Sequence, residues 1–221
     1  MSKAKTIEKI EKAEFQDFFK EIPSIKLKEP LAEVLGAVKG EALFEYSFSD
    51  VVKFAGHACP TVAGAYLITL EGLKALYKKE IPVRGEIAVT IRGGREEAAY
   101  GPISQVISYI TGAAPETGFK GMMFKYKRQN LLKFNPESGR KPYLVRFKDV
   151  NTGKQVEVEF SPEKIPALES DNKIIQLFEK VIWNGATPSE KEAFKDAWTG
   201  KVKRILIDRS GIENWLKTKE I

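Results

Sequence analysis

The chain has 221 residues, 43% hydrophobic and 30% charged, a size and balance that fit one large soluble domain or one domain with an appendage. A single cysteine excludes an internal disulfide, and no apolar run is long enough to span a bilayer. The net charge of +6 gives mild attraction to anions, but acids are mixed among the lysines, which disfavours a dedicated nucleic-acid binder.

Met1 to Ile10 is charged and lacks the apolar core of a signal peptide, so a cytoplasmic protein is expected. Thr6 to Lys20 places Ile7, Ile10, Phe15, Phe18 and Phe19 close to helical spacing and predicts a helix ended by Pro23. Pro30 predicts a short helix through Val38, closed by Gly40. Ser47, with Asp50 three residues on, predicts a capping box for a short helix through Phe54. Pro60 opens the longest predicted helix, PTVAGAYLITLEGLKALYKK, with Val62, Tyr66, Leu70 and Leu73 on one face. The small residues Ala63, Gly64 and Ala65 predict a close neighbour and a central place in the fold. Gly85 to Ile91 predicts a strand, and Gly101-Pro102 launches a helix that stops near Gly112.

The period then changes. Met122 to Tyr126, Asn130 to Phe134, Tyr143 to Asp149 and Gln155 to Phe160 predict strands, the last with Val156, Val158 and Phe160 on one face. Asn151-Thr152-Gly153 is turn chemistry between the last two. A helix is predicted over Asn172 to Trp183. A second starts at a Thr187–Glu190 capping box with Pro188 at its first position and runs to Trp198, with Gly200 ending it. Trp183, Trp198 and Trp215 are expected to cover the core, the alternative being an aromatic surface presented to a partner. Helices at both ends around a sheet-containing middle predict an α+β fold, a central antiparallel or mixed sheet packed with helices.

The chemistry concentrates in FAGHACPTVAGAY, Phe54 to Tyr66, which holds the only histidine, His57, and the only cysteine, Cys59. With Pro60 as the first helical residue, Cys59 is the N-cap, beside unpaired backbone N–H groups and the positive helix end, a setting that favours thiolate. Thiolate and neutral imidazole are metal ligands, and Gly56 permits the tight approach that sets them side by side. Such a corner is half of a zinc or iron site, since zinc takes three or four protein ligands. The competing reading is a small buried thiol and a histidine capping a loop.

The run Phe54-Ala55-Gly56-His57-Ala58-Cys59-Pro60-Thr61 resembles the Phe-His-Gly-His-x-Cys-Pro-Gly signature of the formylmethanofuran dehydrogenase FmdE family. The lead-in FSDVVKF, Gln105, the glycine-rich TGAAPETGFKG and LLKFNPESGRKPYLVRF extend the resemblance over about Phe44 to Phe160. It implies an α+β domain, often a homodimer, binding one metal, commonly zinc, through His57 and Cys59. With two protein ligands, an open position for a small-molecule substrate or cofactor, in redox or one-carbon-related metabolism, is expected. On this basis the chain divides into an N-terminal helical extension (1–43), an FmdE-like metal-binding domain (44–165) and a C-terminal helical segment packed on the core (166–221). Ala55 stands where the family has its first histidine and Thr61 where it has glycine, and the family's cysteine in the next helix is missing from AAYGPISQ. The chain is therefore identified as a divergent member.

Further contacts are expected nearby. Glu97 is a candidate oxygen ligand, Tyr100 and Gln105 are candidate substrate contacts, and Thr61 is a further candidate beside Pro60. The alternative for Arg92 to Pro102 is a solvated loop. Gly93-Gly94, with Arg92 and Arg95, is either an anion nest or a plain turn. The basic-aromatic stretch Phe119 to Phe134 reads better as a half-buried strand than as a base-stacking surface. A Cys-His hydrolase needs a third orienting group that the sequence does not identify. The opposing functional class is a non-catalytic carrier of metal or haem, held through His57 or Cys59, for a larger redox complex.

Overall fold

The computed structural model describes residues 13–97, 99–135 and 142–221. Two sheets form. β1 (Ile25–Lys28) pairs antiparallel with β2 (Leu43–Tyr46), and a five-stranded sheet runs in the order β4 (Leu132–Phe134), β3 (Ile87–Ile91), β5 (Tyr143–Asp149), β6 (Gln155–Phe160), β7 (Leu216–Glu220). Only the β3–β4 pair is parallel, so the sheet is mixed and the fold is α+β, as expected. The helices are α1 (Pro30–Val34), α2 (Phe48–Ala55), α3 (Pro60–Tyr77), α4 (Tyr100–Thr111), α5 (Asp171–Ile182), α6 (Pro188–Lys203) and α7 (Ile212–Trp215). The strand pairings cross both boundaries drawn from the resemblance: β1 joins β2, and β7 joins β6.

Alternation builds the sheet's inner face. Tyr143, Val145 and Phe147 of β5 lie beside Phe160, Val158 and Val156 of β6, all buried. On the other face Arg146 pairs with Glu157 at 3.2 Å. α3 lies against the inner face, buried from Val62 through Thr69 and again at Gly72, Leu73 and Leu76. Its two glycines explain how close it lies. A Cβ on Gly64 would stand 2.5 Å from the Phe160 ring, and one on Gly72 would stand 2.5 Å from the Phe147 ring.

Several expected elements differ. Thr6 to Lys12 lies outside the described residues; the rest of that predicted helix is irregular chain and a single 3-10 turn, Asp17–Glu21. Phe19 settles there edge-on against Phe18 and Phe48, so one tight turn buries it without a longer helix. α1 stops at Val34 rather than Val38. Met122 to Tyr126 is not a strand. Met122 and Lys125 exchange two backbone hydrogen bonds of 2.9 Å across a tight turn whose central residues, Met123 and Phe124, have φ of 45° and 69°. Both are fully exposed, whereas such a turn ordinarily takes Asn and Gly.

At the C-terminus α6 passes through Gly200 to Lys203 and continues as a π-turn, Arg204–Asp208. The last strand, β7, carries no signal in the sequence because only Leu216 in it is buried. It is held by the β6 backbone and by opposite charges, Lys217 facing Glu159 and Lys219 facing Glu157. Trp215 is buried and Trp198 half-buried, but Trp183 is 82% exposed and covers nothing.

Continuation of α6 brings Arg204 to the start of α5. Its two terminal nitrogens donate to the two Asp171 oxygens at 2.9 Å each, and Nη1 also donates to the Pro166 carbonyl at 2.8 Å. The Arg204 hydrogen bonds hold the Asp171 carboxyl below its ordinary range. A depressed carboxyl contributes stability that is present above its unfolded pKa of about 3.9 and is lost as pH falls through the folded value. Asp171→Asn is therefore expected to flatten the fall of urea midpoints with acid, with the difference from wild type vanishing at the most acidic pH. An unchanged acid limb in the variant would contradict the pairing.

Candidate functional site

The His-x-Cys corner is assembled by two helix ends. Ser47 caps α2 as expected: its Oγ accepts from Asp50 N at 3.2 Å while Asp50 Oδ2 accepts from Ser47 N at 3.0 Å. α2 ends at Gly56, whose φ of 76° lies in the left-handed region, and this reverses the chain toward α3. His57 follows, exposed, with its Nδ1 2.9 Å from the Ala55 carbonyl oxygen. A carbonyl only accepts, so Nδ1 carries the proton and Nε2 keeps the free lone pair in the neutral ring. Cys59 is the N-cap of α3, half-buried, and its Sγ accepts from Val62 N at 3.4 Å. The predicted cap, with Pro60 at the first helical position, is therefore present.

One contact at this corner has no signal in the sequence. Trp198 Nε1 donates to the Ala58 carbonyl at 2.7 Å. The residue between the two candidate ligands is thus tied to α6, whose Trp198 also stacks on Phe194 at 5.5 Å. Tryptophan at a half-buried helix position reads as packing, and nothing in its neighbours indicates which carbonyl it will reach across 140 residues.

The other candidates separate. Tyr100 is fully buried, its ring edge-on to Tyr143 at 5.0 Å, its hydroxyl 3.4 Å from the Pro142 carbonyl, and burial raises its pKa. It is a core residue. Glu97 Oε2 accepts from Gly94 N at 2.9 Å, so that N–H is used locally; Gly93 is a bend, and the tight turn follows it, with Glu97 N donating to the Gly94 carbonyl at 3.1 Å. Thr61 is half-buried in the first turn of α3. Among the described residues no three His, Cys, Asp or Glu side chains come together as a metal-binding group.

Gln105 is exposed on α4 and lines a cleft of about 440 Å³. Phe54, the first residue of the motif, lines the same cleft, with its ring stacked on Tyr109 at 4.7 Å and 11°. Arg84 and Arg128 are its charged lining residues, beside Ser104 and Ser108, and both arginines reach Glu29, which is buried. Arg84 Nη1 donates to Glu29 Oε2 at 2.9 Å, while its Nε and Nη2 each donate at 3.0 Å to the Ile110 and Tyr109 carbonyls at the end of α4. Arg128 Nη2 donates to Glu29 Oε1 at 2.6 Å. The motif thus has one end at a charged, aromatic cleft and the other at a helix N-terminus. No family model matches this chain, and neither does any curated protein.

Proposed function

We propose that the chain is a metalloprotein of FmdE type that holds one divalent ion, zinc by donor preference, through His57 Nε2 and Cys59 Sγ. The observation that carries this reading is the Nδ1 contact to the Ala55 carbonyl, which leaves Nε2 as the free donor. Metal-ligating histidines take this arrangement, the second ring nitrogen bonded to a carbonyl or carboxylate so that ring and tautomer are fixed. The Cys59 sulfur, held as the N-cap of α3 by the Val62 N–H, supplies the matching half. A soft sulfur with an imidazole suits zinc better than magnesium or calcium.

Two protein ligands leave positions for solvent, a small molecule or a second copy of the chain. A metal held so openly polarises a carbonyl or activates water. Exposure of His57 favours a second reading, a carrier that passes its metal on, since an outward ligand is easily exchanged. Elemental analysis of tag-free protein tests the metal. About one ion per chain is expected in the wild type, with loss in both His57→Ala and Cys59→Ser. Full metal content in either variant would overturn the proposal.

A further inference from the structure

The cleft beside the motif carries a charge excess that the metal reading does not use. Two guanidinium groups share one carboxylate, Glu29. Arg84 is otherwise satisfied by the carbonyl end of α4, where a cation is favoured. Arg128 is not. Its side chain is 9% exposed and lines the cleft, while its buried Nη1 lies against Gly85, outside the cleft lining, without a hydrogen-bond partner. Burial lowers its pKa, with Glu29 opposing and the charge of Arg84 adding to the drop. A buried charge with an idle donor is costly unless something completes it.

Two exposed rings also line the cleft, beside Ser104, Gln105 and Ser108. Phe54 is 46% exposed although one face of its ring is stacked on Tyr109, and Phe119 is 45% exposed. The volume of about 440 Å³ is that of a small-molecule site. Neither His57 nor Cys59 lines it, so the cleft is a site separate from the metal corner, and its function goes beyond the metal proposal.

We infer that this cleft binds a small organic anion, a carboxylate or phosphate ester carried on a planar ring, with the ring against Phe54 and Phe119 and the anion drawn by Arg84 and Arg128. Two guanidinium groups over one carboxylate leave a net positive charge at the cleft, which favours either anion.

Calorimetric titration of phenyl phosphate, benzoate and neutral benzyl alcohol tests this, on zinc-loaded and metal-stripped wild-type protein and on Cys59→Ser. Both proteins are expected to bind the anions at least about tenfold more tightly than the alcohol, since hydrogen bonds to charged groups exceed neutral ones by this much. The tighter anion names the class. Gln105→Glu places a like charge on an exposed lining residue and should weaken anion binding up to about fivefold without disturbing the fold. Phe54→Ala should weaken phenyl phosphate but not inorganic phosphate. Three results would each overturn the inference: no preference for anions, anion binding indifferent to both variants, or binding seen only with metal present and lost in Cys59→Ser. The last would place the anion on the metal and leave the metal proposal standing.

Discussion

Glu29→Ala is expected to destabilise the protein by about 3–5 kcal/mol, the range for removing one partner of a buried ion pair. Glu29 stands just before α1, and its side chain is 6% exposed. It joins three segments that are distant in sequence: its own, the turn before β3 through Arg84, and the loop before β4 through Arg128. Removal leaves Arg84 with its two carbonyls but leaves Arg128 without the bond that its Nη2 makes. The loss exceeds that of a surface pair because the guanidinium stays buried. For a chain of this length it corresponds to a fall in Tm of roughly 6–20 °C. Glu29→Gln should recover little, since its amide nitrogen would present N–H groups to donors. Paired measurement of urea midpoints decides the matter; a loss below about 1 kcal/mol, as for an exposed pair, would contradict it.

The second large effect is at the α3–sheet contact. Phe147→Ala is expected to cost about 3–5 kcal/mol, because the ring is fully buried between α3 and the strands and its removal opens a cavity. Gly72→Ala should cost about 1–3 kcal/mol through crowding against the same ring, less what alanine returns in helix propensity. The two are coupled through one space. In Gly72→Ala/Phe147→Leu the added methyl enters room the smaller side chain vacates, so the double variant should lose less than the sum of its singles. Simple additivity in a double-mutant cycle would show that the close approach at Gly72 does not matter energetically.

The features legible in the sequence are local. The Ser47 and Thr187 capping boxes, the Cys59 cap with Pro60, the Gly112 helix stop and the alternation of Val156, Val158 and Phe160 each depend on neighbours within a few residues, and each is present. The illegible ones depend on long-range partners. β7 has no apolar alternation and takes its place from backbone pairing and facing charges. α6 passes Gly200 because a glycine in a helix is a modest cost that surrounding contacts override. Lysines and apolar residues at Met122 to Tyr126 imitate a half-buried strand, while the structure turns there with Met123 and Phe124 in the open. Tyr100 reads as a substrate contact from its position in the chain, and the structure buries it against Tyr143, which comes 43 residues later.

At the candidate site the same division holds. His57 and Cys59 are two residues apart in the sequence, and the cap geometry of Cys59 follows from Pro60. The Ala55 carbonyl that fixes the His57 ring and the Trp198 bond to Ala58 need the folded chain. So does the cleft, since Phe54, Arg84, Gln105 and Arg128 come from four separate segments.

Cobalt titration, followed by absorption, tests the central claim most directly. Co²⁺ substitutes for zinc, and a cobalt–thiolate bond adds charge-transfer absorption in the near ultraviolet that oxygen and nitrogen ligands do not. The metal proposal predicts that this band saturates near one equivalent in the wild type, is absent in Cys59→Ser, and is weakened in affinity by His57→Ala. A cobalt spectrum that is the same in Cys59→Ser as in the wild type would contradict it.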